Sequence, residues 1–160
     1  MPRKRESNSL THGLAAALGV IGDWWTLLIL REILRGSVRF EHINKRLGVA
    51  RNIQTNRLNK LVDRGVLEKI KYTDKPERFE YRLTESGRDL YGVIIVMKDW
   101  GDRWVLGGKP TPLILHEPCG HPVNPRVVCG HCGKTLEFDH THDGDAADDG
   151  DDTSGRGGTA

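Results

Sequence analysis

The chain has 160 residues, of which 37% are hydrophobic and 29% charged, with a formal net charge of +2. That is room for one core domain and appendages, and with no run of about 18 uncharged apolar residues no membrane span is expected. Three cysteines, all between 119 and 132, are too few and too close for a disulfide framework. They suit a reduced, metal-binding cluster, so the cytoplasm is the expected compartment.

The small net charge hides an asymmetry. From Asp139 onward there are seven Asp and one Arg, a net of −6, so the preceding 138 residues carry a net of +8. A basic body with an acidic tail fits a polyanionic partner, although many soluble proteins are mildly basic. Residues 1–10 read as a disordered basic arm; no apolar stretch follows, so no secretory leader is expected.

Thr11 is placed to cap a short helix to about residue 18. Gly19 and Gly22 bracket a turn, and Asp23 caps the next segment, WWTLLILREILRG. That segment is apolar on nearly every side through Leu30, the mark of a buried core helix. Trp24 and Trp25 are assigned to packing. Arg31 and Arg35 fall late in the helix, where the dipole favours positive charge.

Residues 39–47 form a short helix with Phe40, Ile43 and Leu47 as its inward stripe, broken at Gly48. Arg39, near its start, is a candidate phosphate contact; Lys45 and Arg46 either share that role or are solvated. A second helix spans 51–64 and ends at Gly65. At 100° per residue, Ala50, Ile53, Gln54, Arg57, Leu58 and Leu61 share one half of its cylinder. Asn52, Thr55, Asn56 and Asn59 share the other, with Arg51 at the leading edge. Gln54 sits where the pattern wants an apolar group and reads as a core-edge amide. On an arbitrary helix such a polar face is merely solvated. Here a helix and a glycine turn precede it and a hairpin follows.

The hairpin comprises alternating runs at 66–70 and 79–83. Lys71, Lys75 and Arg78 cluster around Pro76 at the tip, and Tyr72, Phe79 and Tyr81 pack at the base. Taken alone, the tip is equally an ordinary charged hairpin. Helix, turn, helix, hairpin is the layout of a winged helix-turn-helix, which reads double-stranded DNA. The candidate DNA contacts are Arg39, Arg51, Asn52, Thr55, Asn56, Lys71, Lys75 and Arg78. Asn bonds adenine, Arg bonds guanine and a Thr methyl meets thymine, while the wing's cations lie along phosphates or enter the minor groove.

Thr84 caps a long helix reaching about residue 106. Leu90, Ile94, Met97, Gly101 and Trp104 recur along it at spacings of three and four, and Val93 and Trp100 widen the stripe. One small domain cannot cover so broad a face, so a second copy of the helix is its natural cover. A homodimer also presents two reading helices to successive half-sites.

Residues 116–133 read HEPCGHPVNPRVVCGHCG. His116-x2-Cys119-Gly and Cys129-x2-Cys132-Gly are two similar knuckles, and the glycine after each second ligand lets the backbone fold close to the sulfur. His116, Cys119, Cys129 and Cys132 make a closed tetrahedral Zn²⁺ set. His121 is the alternative to His116, and His131 is less suited because Cys129 and Cys132 occupy its side. A set with no open position is structural rather than catalytic, and metal binding supplies the folding energy of so small a ribbon. Reduced, unliganded thiols are the plainer alternative. From 139 to 160 the composition is that of a disordered acidic tail, to which His140 and His142 belong.

The runs IGDWWTLLILREILRG, VRFEHINKRLGVARN, RLNKLVDRGVL and PERFEYRLTESGRDL resemble, in that order, the HxlR-type family of bacterial transcription regulators, which is related in fold to the MarR group. The resemblance covers roughly 11–109. It implies a dimeric winged helix on operator DNA, usually a repressor and sometimes an activator. A small-molecule effector of unknown identity is a further candidate partner. Many redox-sensing members carry a cysteine where this chain has His12, so a thiol switch at that position is unavailable. Members also often have Ser at the position of Ala50 and Leu at that of Gln54; Ala cannot cap, at a cost of about 0.5–2 kcal/mol.

The expected architecture is α+β, mainly α: a basic arm (1–10), a winged helix-turn-helix with a long C-terminal dimerisation helix (11–109), a zinc-ribbon-like extension (110–138) and the tail (139–160). An enzyme is not expected. A zinc deaminase needs a Glu two residues after its ligand His, whereas Glu117 directly follows His116, and Gly107-Gly108-Lys109 is too short to cradle phosphate. The other reading is a zinc-ribbon interaction module whose winged helix binds protein.

Overall fold

The computed structural model describes residues 9–141 apart from Pro110, with side chains from His12 onward. Most of the expected basic arm and the acidic tail from His142 lie outside the described residues. The order is α1 (Ser9–Ile21), α2 (Trp24–Leu34), α3 (Phe40–Leu47), α4 (Arg51–Asp63), β1 (Leu67–Asp74), β2 (Glu77–Leu83), α5 (Glu85–Trp100), β3 (Leu115–His116) and β4 (His121–Pro122). A π-type turn, Gly101–Val105, extends α5, with the Leu106 N–H reaching the Gly101 carbonyl at 3.0 Å. A single 3-10 turn spans Phe138–His140.

Helix α2 is the centre of the core. Its Ile29, Leu30 and Ile33 pack with Ile43 of α3, Leu58 and Leu61 of α4, and Val66, Leu67 and Tyr81 around the hairpin. Asp23 caps α2 as expected: Oδ1 accepts from the backbone N–H of Trp25 at 3.0 Å and of Thr26 at 3.3 Å. Two expectations at this end fail. Thr11 is not a cap, because α1 begins at Ser9 and runs through Gly19 to Ile21; one glycine costs a helix only about 1 kcal/mol, and Ala15, Ala16 and Ala17 favour continuation. Trp24 does not pack in the core but is 75% exposed. It lies on the side of α2 that looks toward Met97 of α5, away from α3 and α4. Trp25 is half-buried against the core.

Between α3 and α4 the chain turns at Gly48, whose φ of +63° is left-handed, a conformation that glycine adopts without steric cost. The hairpin is longer than the sequence suggests, pairing from Leu67↔Leu83 to Asp74↔Glu77 with an irregularity between Lys71 and Thr73. The segment before α3 joins its edge: the Tyr81 N–H donates to the Val38 carbonyl at 2.7 Å, and Arg39 bridges Glu80. Thr84 caps α5 by accepting from the Gly87 N–H at 3.2 Å. Of the large apolar side chains on α5, Ile95 is the buried one, although it stands outside the stripe the spacing picks out. Leu90 and Ile94 are half-buried against the core, whereas Val93, Met97, Trp100 and Trp104 are exposed.

Candidate nucleic-acid interface

The two halves of α4 separate as its periodicity requires. Leu58, Leu61 and Gln54 are fully buried, while Asn52, Thr55, Asn56 and Asn59 are all exposed. Gln54 is more than a core-edge amide. Its Nε2 donates to the Phe40 carbonyl at 2.7 Å and its Oε1 accepts from Asn44 Nδ2 at 2.9 Å. Asn44 also donates to the Val49 carbonyl at 2.7 Å. This amide strap ties α3 to α4 across the turn and sets the angle at which the outward face is shown. Ala50 makes no side-chain cap bond.

On the outward face, the Thr55 hydroxyl donates to the Arg51 carbonyl at 2.8 Å. Its donor is therefore committed, and the methyl is the group left for a partner. Arg51 does not stand alone: its Nη1 and Nη2 bond both carboxylate oxygens of Glu41 at 2.8 and 2.7 Å. The Arg51 hydrogen bond is the main cause holding the Glu41 carboxyl below its ordinary range, with Arg78 adding a smaller effect of the same sign. Arg78 also lines, with Glu41, Arg39 and His42, a groove of about 540 Å³ between α3 and the wing. The structure thus places Arg51 of α4 on the Glu41 carboxylate, with Arg78 of the wing lining the same groove.

Not all of the expected cations are free. Arg39 Nε donates to Glu80 Oε1 at 3.0 Å, and its guanidinium lies 4.4 Å from the Tyr72 ring centroid. Lys71 is in β1 rather than at the tip, and bonds Glu77 at 2.7 Å and approaches Asp74 at 3.4 Å. Only Lys75 and Pro76 separate the strands, and the flanking Asp74 and Glu77 make the tip mixed in charge. Lys75 and Arg78 are exposed.

Sequence reasoning missed the acidic members of this surface. Glu41 and Glu80 each hold an arginine contributed by another element. Glu32 is 3% exposed and lies among Arg31, Arg35 and Arg46, at 3.0, 4.0 and 3.5 Å, which fixes α2 to α3. The one available signal was local, the placing of Glu32 one residue after Arg31 and three before Arg35.

In the extension, His116 Nδ1 lies 3.3 Å from Cys119 Sγ, and Cys129 and Cys132 share the second knuckle. Backbone N–H groups of Cys132 and His131 hold the Cys129 thiol below its ordinary value. Among the described residues no three or more His, Cys, Asp or Glu side chains are placed together to hold a metal. Nor, among them, is any single helix long and apolar enough to cross a membrane.

Residues 20–109 match the HxlR-like helix-turn-helix family. The chain is similar to Rv3095 of Mycobacterium tuberculosis, an uncharacterised HTH-type transcriptional regulator, at 43% identity over 75% of this chain and 77% of that one. Among solved structures, it is similar to PA1607, a candidate transcription factor, at 30% identity and a TM-score of 0.74 over 89% of this chain and 98% of that one. It is also similar to PA1374 of Pseudomonas aeruginosa, another candidate transcription factor, at 31% identity and a TM-score of 0.62 over 84% and 94%. With that family match spanning more than half of its length, the chain belongs to the HxlR-like helix-turn-helix family and is a transcription regulator with a helix-turn-helix DNA-binding domain.

Proposed function

We propose that the chain binds operator DNA sequence-specifically as a homodimer, with Asn52, Thr55, Asn56 and Arg51 of α4 against base edges and Lys75 and Arg78 of the wing on phosphate. The observation that carries this is the row of amide and methyl groups on α4, exposed from end to end and held at a fixed angle by the buried Gln54 strap. Repression is the direction that the family resemblance implies. The setting is the cytoplasm, and the role is non-catalytic.

Two features support the dimer. Residues 12–19 of α1 are exposed on all sides, and an isolated helix of that length is marginal in water. Leu14 and Leu18 of α1, Trp24, and Val93, Met97, Trp100 and Trp104 of α5 supply a broad apolar surface that a second copy would cover. For an effector there is a cavity of about 500 Å³ between α2, α5 and residues 111–114, with an apolar floor of Leu34, Ile94, Ile95 and Leu113 and a rim where Lys98 is paired with Asp102, and Arg31 and Arg35 with Glu32. That lining suits a small, largely apolar molecule with a polar group.

The test is footprinting on DNA upstream of the chain's own gene, followed by anisotropy titration of the protected duplex and of a scrambled one, with light scattering for mass. Protection of a two-fold symmetric site by a dimer, with affinity falling steeply as salt rises, is expected. Equal affinity for both duplexes refutes base reading, and a monomeric complex refutes the dimer.

A further inference from the structure

DNA recognition leaves the chemistry of the extension unused. The segment has almost no core: its paired strands are two residues each, and Leu113, Leu115, Val127, Val128, Leu136 and Phe138 are all exposed. Hairpins this short do not hold themselves together in water. Its backbone nevertheless makes the same turn twice. In the first, the Gly120 N–H donates to the His116 carbonyl at 2.8 Å, and Gly120 has a φ of +69°. In the second, the Gly133 N–H donates to the Cys129 carbonyl at 2.7 Å, and Gly133 has a φ of +72°. Each turn brings two metal-binding side chains, three residues apart, toward each other ahead of a left-handed glycine.

We propose that one Zn²⁺ joins the two knuckles through His116, Cys119, Cys129 and Cys132, and that this cross-link is what folds the extension. Three thiolates and one imidazole make a soft, four-coordinate set that favours zinc over the hard cations and leaves no position for a substrate. Each thiol gives its proton to solvent as the metal binds. Among the described residues no three or more His, Cys, Asp or Glu side chains are placed together to hold a metal, so bringing the four ligands together is the ion's work. His116 is the fourth ligand rather than His121. His116 Nδ1 already faces Cys119 Sγ at 3.3 Å, whereas His121 follows the knuckle glycine and its Nδ1 contacts the Cys119 carbonyl at 2.6 Å. Closure also braces the end of α5, because the Thr111 hydroxyl accepts from Lys98 at 3.1 Å and donates to Asp102 at 2.9 Å, and the Val123 N–H donates to the Ile114 carbonyl at 2.8 Å.

The test uses the full chain purified under reducing conditions without chelator, with metal measured by plasma mass spectrometry. One zinc per chain is expected, lost in Cys129→Ser and in His116→Ala and kept in His121→Ala. Cobalt exchanged into the wild-type protein should show intense thiolate-to-metal absorption and a four-coordinate visible spectrum, a readout that needs no variant to fold. Chelation should open 110–141 to protease while 20–109 stays resistant and still binds duplex DNA. No stoichiometric metal after reconstitution with Zn²⁺, or full zinc in Cys129→Ser, overturns the site. Zinc lost in His121→Ala but kept in His116→Ala overturns the ligand assignment.

Discussion

In the proposed docking, the Arg51–Glu41 pair competes with DNA for the guanidinium, and its removal should strengthen binding. Both side chains are about two-thirds exposed, at 64% and 66%, despite the two short bonds between them. Ion pairs this exposed shift an equilibrium by a factor of at most about five. A bidentate guanidinium–guanine contact is worth roughly a factor of ten to a hundred in discrimination against the wrong base. The exchange of Glu41 for a base edge therefore runs toward DNA, and the carboxylate left behind faces phosphate. The hydrogen bond from Arg51 holds the Glu41 carboxyl below its usual 4.5, so the competing carboxylate persists further into acid than a free one would. Glu41→Gln keeps the side-chain shape, removes one negative charge and releases the arginine.

The expected result is an affinity two- to five-fold tighter for the footprinted operator, with a smaller gain on scrambled duplex from the removed charge alone. Arg51→Ala should weaken the operator complex by roughly ten- to a hundred-fold and relax base preference at one position of each half-site. In the Arg51→Ala background, Glu41→Gln should retain only its electrostatic part. The assay is anisotropy titration of fluorescent duplexes over a range of salt. If Glu41→Gln weakens operator binding as much as Arg51→Ala does, the carboxylate is a support that aims the guanidinium, and the competition argument is wrong.

Lys75→Ala and Arg78→Ala should weaken binding to every duplex alike, each lowering the slope of log affinity against log salt by about 1.8 for a dimer that loses one phosphate contact from each subunit, as read in the same titrations. A loss confined to the operator would show that the wing reads sequence. Asp23 is held below its usual 3.8 even though burial pushes it up, because Arg57 and the N–H groups of Thr26 and Trp25 outweigh that effect. Its contribution to stability is thus present above that value and disappears as pH falls through the lowered one. Asp23→Ala should destabilise the fold by about 1–2 kcal/mol at neutral pH by removing the cap, whereas Asp23→Asn should lose only the 2.8 Å Arg57 pair; urea melts at neutral and strongly acidic pH check both, and the wild-type advantage over Asn should vanish in acid. Met97→Glu places a charge in the exposed stripe of α5, and light scattering should report a monomer with reduced helix signal as α1 loses its cover. An unchanged dimer would move the interface elsewhere.

What the sequence could reveal here follows from where each property is encoded. The polar face of α4 and the buried course of α2 are properties of one helix, so a period of 3.6 sorts their residues before any neighbour is known. The cap at Asp23 and the turn at Gly48 are more local still, set by two or three adjacent residues. Ile95 escaped this logic because it lies beside Leu34 of α2 and beside Leu113, Ile114 and Val123 of the extension, neighbours that no single-helix pattern contains. The same holds for every charged residue that changes the picture of the DNA surface. Glu41 with Arg51, Glu80 with Arg39 and Glu32 with Arg46 are pairs between elements, brought together only once α3, α4 and the hairpin have docked. Counting cations along the chain therefore overstates the positive charge on offer at the interface. A row of neutral amides has no such hidden partner, and this is why Asn52 and Asn56 stand in the fold as they stood in the sequence. In the proposed docking, what α4 shows to the bases is legible from its own residues, while the charge that presses it onto DNA is a property of the assembled domain.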